Sequence, residues 1–193
     1  MYIPGTDPET QARFVEWPKI PRGQNETISI SEKIDGTNAC IIVDKMEDTG
    51  QLYISGVQSR KRLITPWDDN FGFANWVDTN SVDLLQLGEG YHYGEWAGEG
   101  IQKNHHNVVG RKLFLFNTAR WNPDNPNRPD CCDVVPLLYE GPLHTDTIDL
   151  TMMSLERTAH QNGWTPEGVI VWFHRGRRYE KHTFKTPDGK WTS

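Results

Sequence analysis

Ser31-Glu32-Lys33-Ile34-Asp35-Gly36-Thr37-Asn38, followed by the apolar run Ala39-Cys40-Ile41-Ile42-Val43, decides how this chain is read. Side chains alternate faces along extended backbone, so Lys33 and Asp35 point the same way. Gly36 removes a side chain where backbone must bend or a ligand must come close. A same-face amine and carboxylate beside open backbone suit a nucleophilic lysine near a metal-bound phosphate. Asp-Gly is also a strong hairpin-turn signal. Both readings stand until the rest of the chain is weighed.

Working outward, residues 27–31 alternate, with Ile28 and Ile30 on one face. Residues 39–44 read as a buried strand, 48–50 as a turn and 51–58 as the returning strand. Residues 68–87 carry the best helical pattern, as two short helices broken near Thr79-Asn80-Ser81. Tyr91-His92-Tyr93-Gly94-Glu95-Trp96-Ala97-Gly98 then sets a carboxylate on an aromatic strand between glycines. Further strands are expected at 112–117, 134–139, 166–173 and 179–185, with a polar loop at 122–133. A helix is expected at 151–163, turning Met152, Met153, Leu155 and Ala159 inward and ending at Gly163. Residues 1–23 form an irregular entry, with Phe14, Val15, Trp17 and Ile20 expected to dock on the body. Strands outnumber helices and come in adjacent hairpins. The class is α+β, with mainly antiparallel sheets flanked by helices.

The bulk properties agree. A chain of 193 residues, 36% hydrophobic and 24% charged, suits one domain with a real core. A formal net charge of −6 argues against tight, nonspecific polyanion binding. Local basic clusters remain, at Arg60-Lys61-Arg62 and at Arg175, Arg177, Arg178 and Lys181. Three cysteines without framework spacing fit a reducing compartment. The N-terminus lacks the basic-then-apolar pattern of a signal peptide, and no apolar run approaches a membrane span. A soluble, cytoplasmic protein is expected. His105 and His106 are adjacent, and neighbours on a strand face opposite ways, so they read as loop histidines, not a metal pair.

Five segments now carry ionic groups on otherwise apolar elements: Lys33/Asp35, Arg60, Glu95, Glu167 and Lys181/Lys185. A charge at the mouth of a buried strand is costly unless it is paired or bound to a ligand. Several in one small domain point to a shared polar cleft. Carboxylates on a metal and cations on phosphates would suit a metal-nucleotide.

Lys33-Ile34-Asp35-Gly36 resembles the first motif of the covalent nucleotidyltransferases, the polynucleotide ligases and mRNA capping enzymes. The other segments follow in that superfamily's order. Ser59-Arg60 resembles the motif after it and Gly94-Glu95-Trp96 the third. Residues 113–117 resemble the element beyond that, Glu167-Gly168-Val169-Ile170 the fourth and 181–185 the fifth. Gly36-Thr37-Asn38, and Gly94-Glu95-Trp96-Ala97-Gly98 with Gly100-Ile101-Gln102, are similar to the RNA-ligase branch. The chain also departs from the pattern. Thr183 stands where the fifth motif commonly has its second lysine, and Asn117 where RNA ligases often have aspartate.

The resemblance implies a nucleotidyltransferase (ligase adenylation) fold over residues 1–193, as a single adenylyltransferase domain without a C-terminal appendage. It implies an ATP-dependent RNA ligase. Lys33 attacks the α-phosphorus of ATP to form lysyl-AMP, and the enzyme then seals a 5′-phosphate to a 3′-hydroxyl. Lys181 and Lys185 are implied at the phosphates, Glu32 at adenine through its backbone, and Phe116 stacked on adenine. Glu95 is implied at the ribose, Arg60 at ribose or phosphate, and Asn38 near the substrate end or pyrophosphate. Glu167 is the first candidate to face Mg²⁺ or Mn²⁺. Asp35 either assists there or braces the turn. The implied partner is RNA, with DNA or an RNA/DNA nick left open, and the departures from the pattern leave room for a partner protein that supplies substrate binding. A DNA ligase core is one alternative. A non-catalytic nucleotide- or RNA-binding protein that keeps the fold is another.

Overall fold

The computed structural model describes residues 26–104 and 106–184. The expected docking of Phe14, Val15, Trp17 and Ile20, and the positions of His105 and Lys185, lie outside the described residues. The order of elements is β1 (Thr27–Glu32), β2 (Thr37–Lys45), β3 (Leu52–Ser59), α1 (Phe73–Thr79), α2 (Ser81–Leu84), β4 (Gly90–Gly98) and β5 (Arg111–Leu115). It continues with β6 (Cys132–Val134), β7 (Leu137–Pro142), α3 (Thr147–Gln161), β8 (Gly168–Phe173) and β9 (Arg178–Thr183).

The strands form two sheets, in the orders β7-β1-β8-β9 and β3-β2-β4-β5-β6. All described pairings are antiparallel except β5 with β6. The α+β class and the mainly antiparallel sheets are as the sequence leads one to expect. The opening stretch is not a hairpin, however. β1 and β2 pair in different sheets, and Asp35-Gly36 is the crossing between them.

Strand alternation sends one face of each sheet to a core. In the larger sheet Ala39, Ile41, Val43, Trp96, Leu113 and Leu115 pack on Phe73, Ala74, Val77 and Leu84 of the short helices. In the smaller sheet Ile28, Ile30, Val169, Val171 and Phe173 pack on Leu155, with Ile148, Met152 and Trp164 partly buried beside them. A third, small cluster of Ile34, Ala97 and Val135, with Phe114 against it, joins the two sheets.

Two elements differ substantially from expectation. The strand expected at 134–139 is two strands in two sheets, β6 and β7, parted at Val135-Pro136. Proline lacks the N–H a continuous ladder needs, so the chain changes sheets there. Helix α3 begins at Thr147, four residues before the expected start. Met153 also faces outward, 64% exposed, because the buried spacing runs through Ile148, Met152, Leu155 and Ala159. No helix among the described residues is long and apolar enough to cross a membrane.

Candidate active site

The crossing from β1 to β2 lies where the sheets meet. Ladder bonding runs past the end of β1, since the Lys33 N–H donates to the Gly168 carbonyl at 2.9 Å. This bond sets Lys33 beside the start of β8 and next to Glu167. The Lys33 ammonium and the Glu167 carboxylate form an ion pair in which the glutamate is buried and the lysine partly open.

Two glycines let the backbones close around this pair. A Cβ on Gly36 would lie 2.5 Å from the Trp96 carbonyl and 2.9 Å from Glu95 Cγ. Any side chain there would push β2 away from the strand that carries Glu95. Gly168 has φ 151°, and a Cβ there would stand 2.1 Å from the His182 carbonyl. Glycine is the residue that tolerates both demands.

Glu95 enters from β4. Register pairs it with Asn38 on β2 and Phe114 on β5. Asn38 Nδ2 donates to Glu95 Oε2 at 3.0 Å. These side chains alternate away from Ala39, Trp96 and Leu113, so they occupy the face opposite the larger core. Burial pushes the Glu95 carboxyl up to about 7, against the pull of Lys33 and the Asn38 hydrogen bond. Glu167 and Asp35 push it the same way as burial. Glu167 is also raised, first by burial and then by Asp35, despite its contact with Lys33. Asp35 Oδ2 accepts the Lys103 N–H at 3.2 Å, tying the crossing to the loop after β4.

The fold therefore brings Glu95 and Glu167, far away in the chain, to Lys33, Asp35 and Asn38. Three of them are carboxylates and one is an amine. That excess of negative charge, with two carboxyls shifted upward, suits an incoming cation. Among the described residues no group of three or more His, Cys, Asp or Glu forms a closed metal cage. Such a donor set fits a hard, water-retaining ion held by one or two carboxylates and by phosphate oxygens.

The other candidates take more peripheral positions. Lys181 is exposed on β9, opposite Ile170, which in turn opposes Ser31. It shares the Lys33 face of the smaller sheet but stands one row away. The row of Gly168, to which Lys33 bonds, ends instead at buried Thr183. Arg60 is exposed just past β3, one residue beyond the Ala39–Ser59 pair and so level with Asn38. Phe116 is 42% exposed just beyond β5, its N–H donating to the Tyr93 carbonyl at 3.0 Å.

Glu32 turns its side chain to the opposite side of the smaller sheet. There its Oε1 lies 2.8 Å from His106 Nε2, off the angle of a hydrogen bond. The His106 ring packs on Trp164 at 5.1 Å between centroids. His106 does lie in the loop after β4, as expected, and the structure adds that its ring is partly buried against Glu32 and Trp164. Trp164 follows a helix-ending glycine in sequence, and no local pattern links it to His106.

The sequence matches the RNA ligase family over residues 26–186. The chain belongs to the RNA ligase family. Comparison with curated protein sequences returns no match. Solved structures of Naegleria gruberi RNA ligase variants share the fold of this RNA ligase family member. One, with ATP and Mn, superposes with a TM-score of 0.55 at 17% identity, covering 82% of this chain and 50% of that one. Another, with AMP and Mn, has a TM-score of 0.55 at 18% identity, covering 86% of this chain and 57% of that one. An apo form has a TM-score of 0.56 at 18% identity, covering 82% and 49%. The chain thus spans about half the length of those ligases.

Proposed function

We propose that this protein is an ATP-dependent RNA ligase acting through AMP carried on Lys33, and that the described residues form one adenylyltransferase unit. The observation that carries the reading is the meeting of the Lys33–Glu167 pair with Asn38, Glu95 and Asp35 between the two sheets, in a chain of this family.

Lys33 must give up its proton and its ion pair with Glu167 before its nitrogen is nucleophilic. It then bonds to the α-phosphorus of ATP as the bond to the bridging oxygen breaks, and pyrophosphate leaves. A 5′-phosphate oxygen of RNA next takes AMP from Lys33, breaking the P–N bond. Finally a 3′-hydroxyl oxygen attacks that 5′-phosphate and releases AMP. In this reading Glu95, held by Asn38, accepts a hydrogen bond from the ribose hydroxyl. Phe116 stacks on the base, and Glu32 offers only its backbone. Arg60, Lys181 and Lys185 meet phosphate charge. Glu167, with Asp35, would hold Mg²⁺ or Mn²⁺. A bound ion of that kind neutralises charge on the phosphates.

Mass spectrometry tests the first step. Incubation with ATP and Mg²⁺ should add the mass of AMP at Lys33, pyrophosphate should remove it, and Lys33→Ala should show none. Labelled Lys33→Ala protein, or a folded wild type that never gains the mass, would overturn the reading. Thr183, standing in the row of Lys33 where the family commonly has lysine, favours a second reading: AMP is captured but strands are not joined without a partner protein. Sealing assays on nicked and single-stranded RNA separate the two.

A further inference from the structure

The middle strand of the larger sheet continues outward from Glu95. Tyr93 and Tyr91 follow at alternate positions, so all three side chains share the face opposite the larger core. The two tyrosines are 52% and 60% exposed. Their rings lie nearly parallel, with centroids 6.2 Å apart and planes at 17°. Phe116 stands beside Tyr93, across the junction of β4 and β5. The aromatic strip thus begins at the active site and runs away from it along one strand, with a rise of about 6.6 Å between alternate residues.

Exposed apolar side chains are ordinary singly, but a contiguous aromatic strip leading out of an active site marks a candidate ligand surface. Cys40 and Ile42 stand directly opposite Tyr93 and Tyr91 on β2, so the strip has apolar neighbours on that side, with polar and charged groups beyond them. Asn38, Gln58 and Asp44 occupy the same face on the neighbouring strands, and exposed Arg60 and Lys61 follow β3. The centre of a protein-docking patch is normally depleted of charge, whereas this strip starts at Glu95 and is bordered by the Arg60 and Lys61 cations. Unpaired nucleotides instead need flat rings for their bases and cations for their phosphates, which is how aromatic-bearing sheets hold single strands.

We propose that Tyr91 and Tyr93 form a stacking platform for unpaired bases of the RNA strand whose end reaches Lys33. Phe116 stays with the nucleotide, and Arg60 and Lys61 lie on the phosphate side. The proposal rests on the ligase reading for the position of the strand end, but the platform itself is tested separately.

The test measures fluorescence anisotropy of a labelled single-stranded RNA dodecamer with the full chain, in wild type, Tyr91→Ala/Tyr93→Ala and Tyr91→Phe/Tyr93→Phe. Base–aromatic stacking is sequence-tolerant and needs the ring, not the hydroxyl. The alanine pair should therefore weaken binding roughly tenfold or more, and the phenylalanine pair by less than about twofold. The AMP mass gain on Lys33 should be equal in all three, which also shows that the variants fold. The platform is overturned if wild type binds no RNA at micromolar concentration. It is equally overturned if the alanine pair binds within twofold of wild type, or if both pairs lose affinity alike. Sedimentation covers the alternative occupant. A wild-type dimer that the alanine pair converts to monomer, with RNA affinity unchanged, assigns the strip to a second copy of the chain and rejects the proposal. If Lys33 never gains AMP while RNA affinity still depends on the tyrosine rings, the ligase reading fails and the platform stands.

Discussion

Burial among like charges leaves Glu95 titrating near neutral pH, at about 7. An unfolded glutamate titrates at about 4.5. The native state therefore holds its proton more tightly, and the group's contribution to stability is fully present below the unfolded value. That contribution falls as pH rises from there and is lost above about 7. The full shift corresponds to roughly 3 kcal/mol as an upper bound. Glu167 shifts in the same direction, so it steepens the same decline. Glu95→Gln keeps the shape and removes the titration. Urea denaturation at pH 5 and pH 8 should show wild type losing stability across that interval. The Gln variant should lose less, by about 1–3 kcal/mol, and it should be the more stable of the two at pH 8. An unchanged pH slope in the variant would show that the buried charge lies elsewhere. Legibility at this scale divides along the same line. Lys33, Asp35 and Asn38 are neighbours in sequence, so alternation alone relates them. Glu95 and Glu167 join them only through strand register and the narrow passage at Gly36. His106 meets Glu32 across a contact that no spacing rule anticipates.

Helix α3 shows what periodicity can and cannot decide. Its apolar residues are Ile148, Leu150, Met152, Met153, Leu155 and Ala159, too many for one stripe. Packing against β1 and β8 selects Ile148, Met152, Leu155 and Ala159, and leaves Leu150 and Met153 exposed. That choice depends on where the helix begins. Its start at Thr147 has no side-chain N-cap bond of its own, so the sequence carries only a weak boundary signal. The consequence for stability is a sharp contrast between near neighbours. Leu155→Ala removes a buried side chain between α3 and the smaller sheet and should cost about 2–4 kcal/mol. Met153→Lys should change stability by less than about 0.5 kcal/mol, because that position faces water. Chemical denaturation of the two variants decides it. Comparable losses in both would mean that the helix is rotated from the face described here. Pro136 is the second lesson at this scale. An apolar, β-branched run looked like one strand, and a single missing N–H accompanies its division between two sheets.

The sheets have separate cores, and the site is assembled from both. Lys33 and Glu167 come from the smaller sheet and its approach, Asn38 and Glu95 from the larger. The two-sheet architecture follows the family resemblance. The order of strands is not written in hydrophobic pattern, because alternation tells which face is buried but not which strand lies alongside. The apolar cluster that joins the sheets is small: Ile34, Ala97 and Val135, with Phe114 packed on them. Phe114 is also the register partner of Glu95. Loosening this cluster should disturb the distance from Glu95 to Lys33 more than it disturbs either core. Val135→Ala should therefore cost about 1–3 kcal/mol in denaturation and slow single-turnover AMP capture by about tenfold or more, since small misplacements of reacting groups are costly. Val43→Ala supplies the control. That residue is fully buried in the larger core, on the face away from the site. It should cost a similar amount of stability and leave the rate within about threefold. Equal slowing by both would show that the rate follows overall stability. Slowing by Val135→Ala alone would place the alignment of the site in the joint between the sheets.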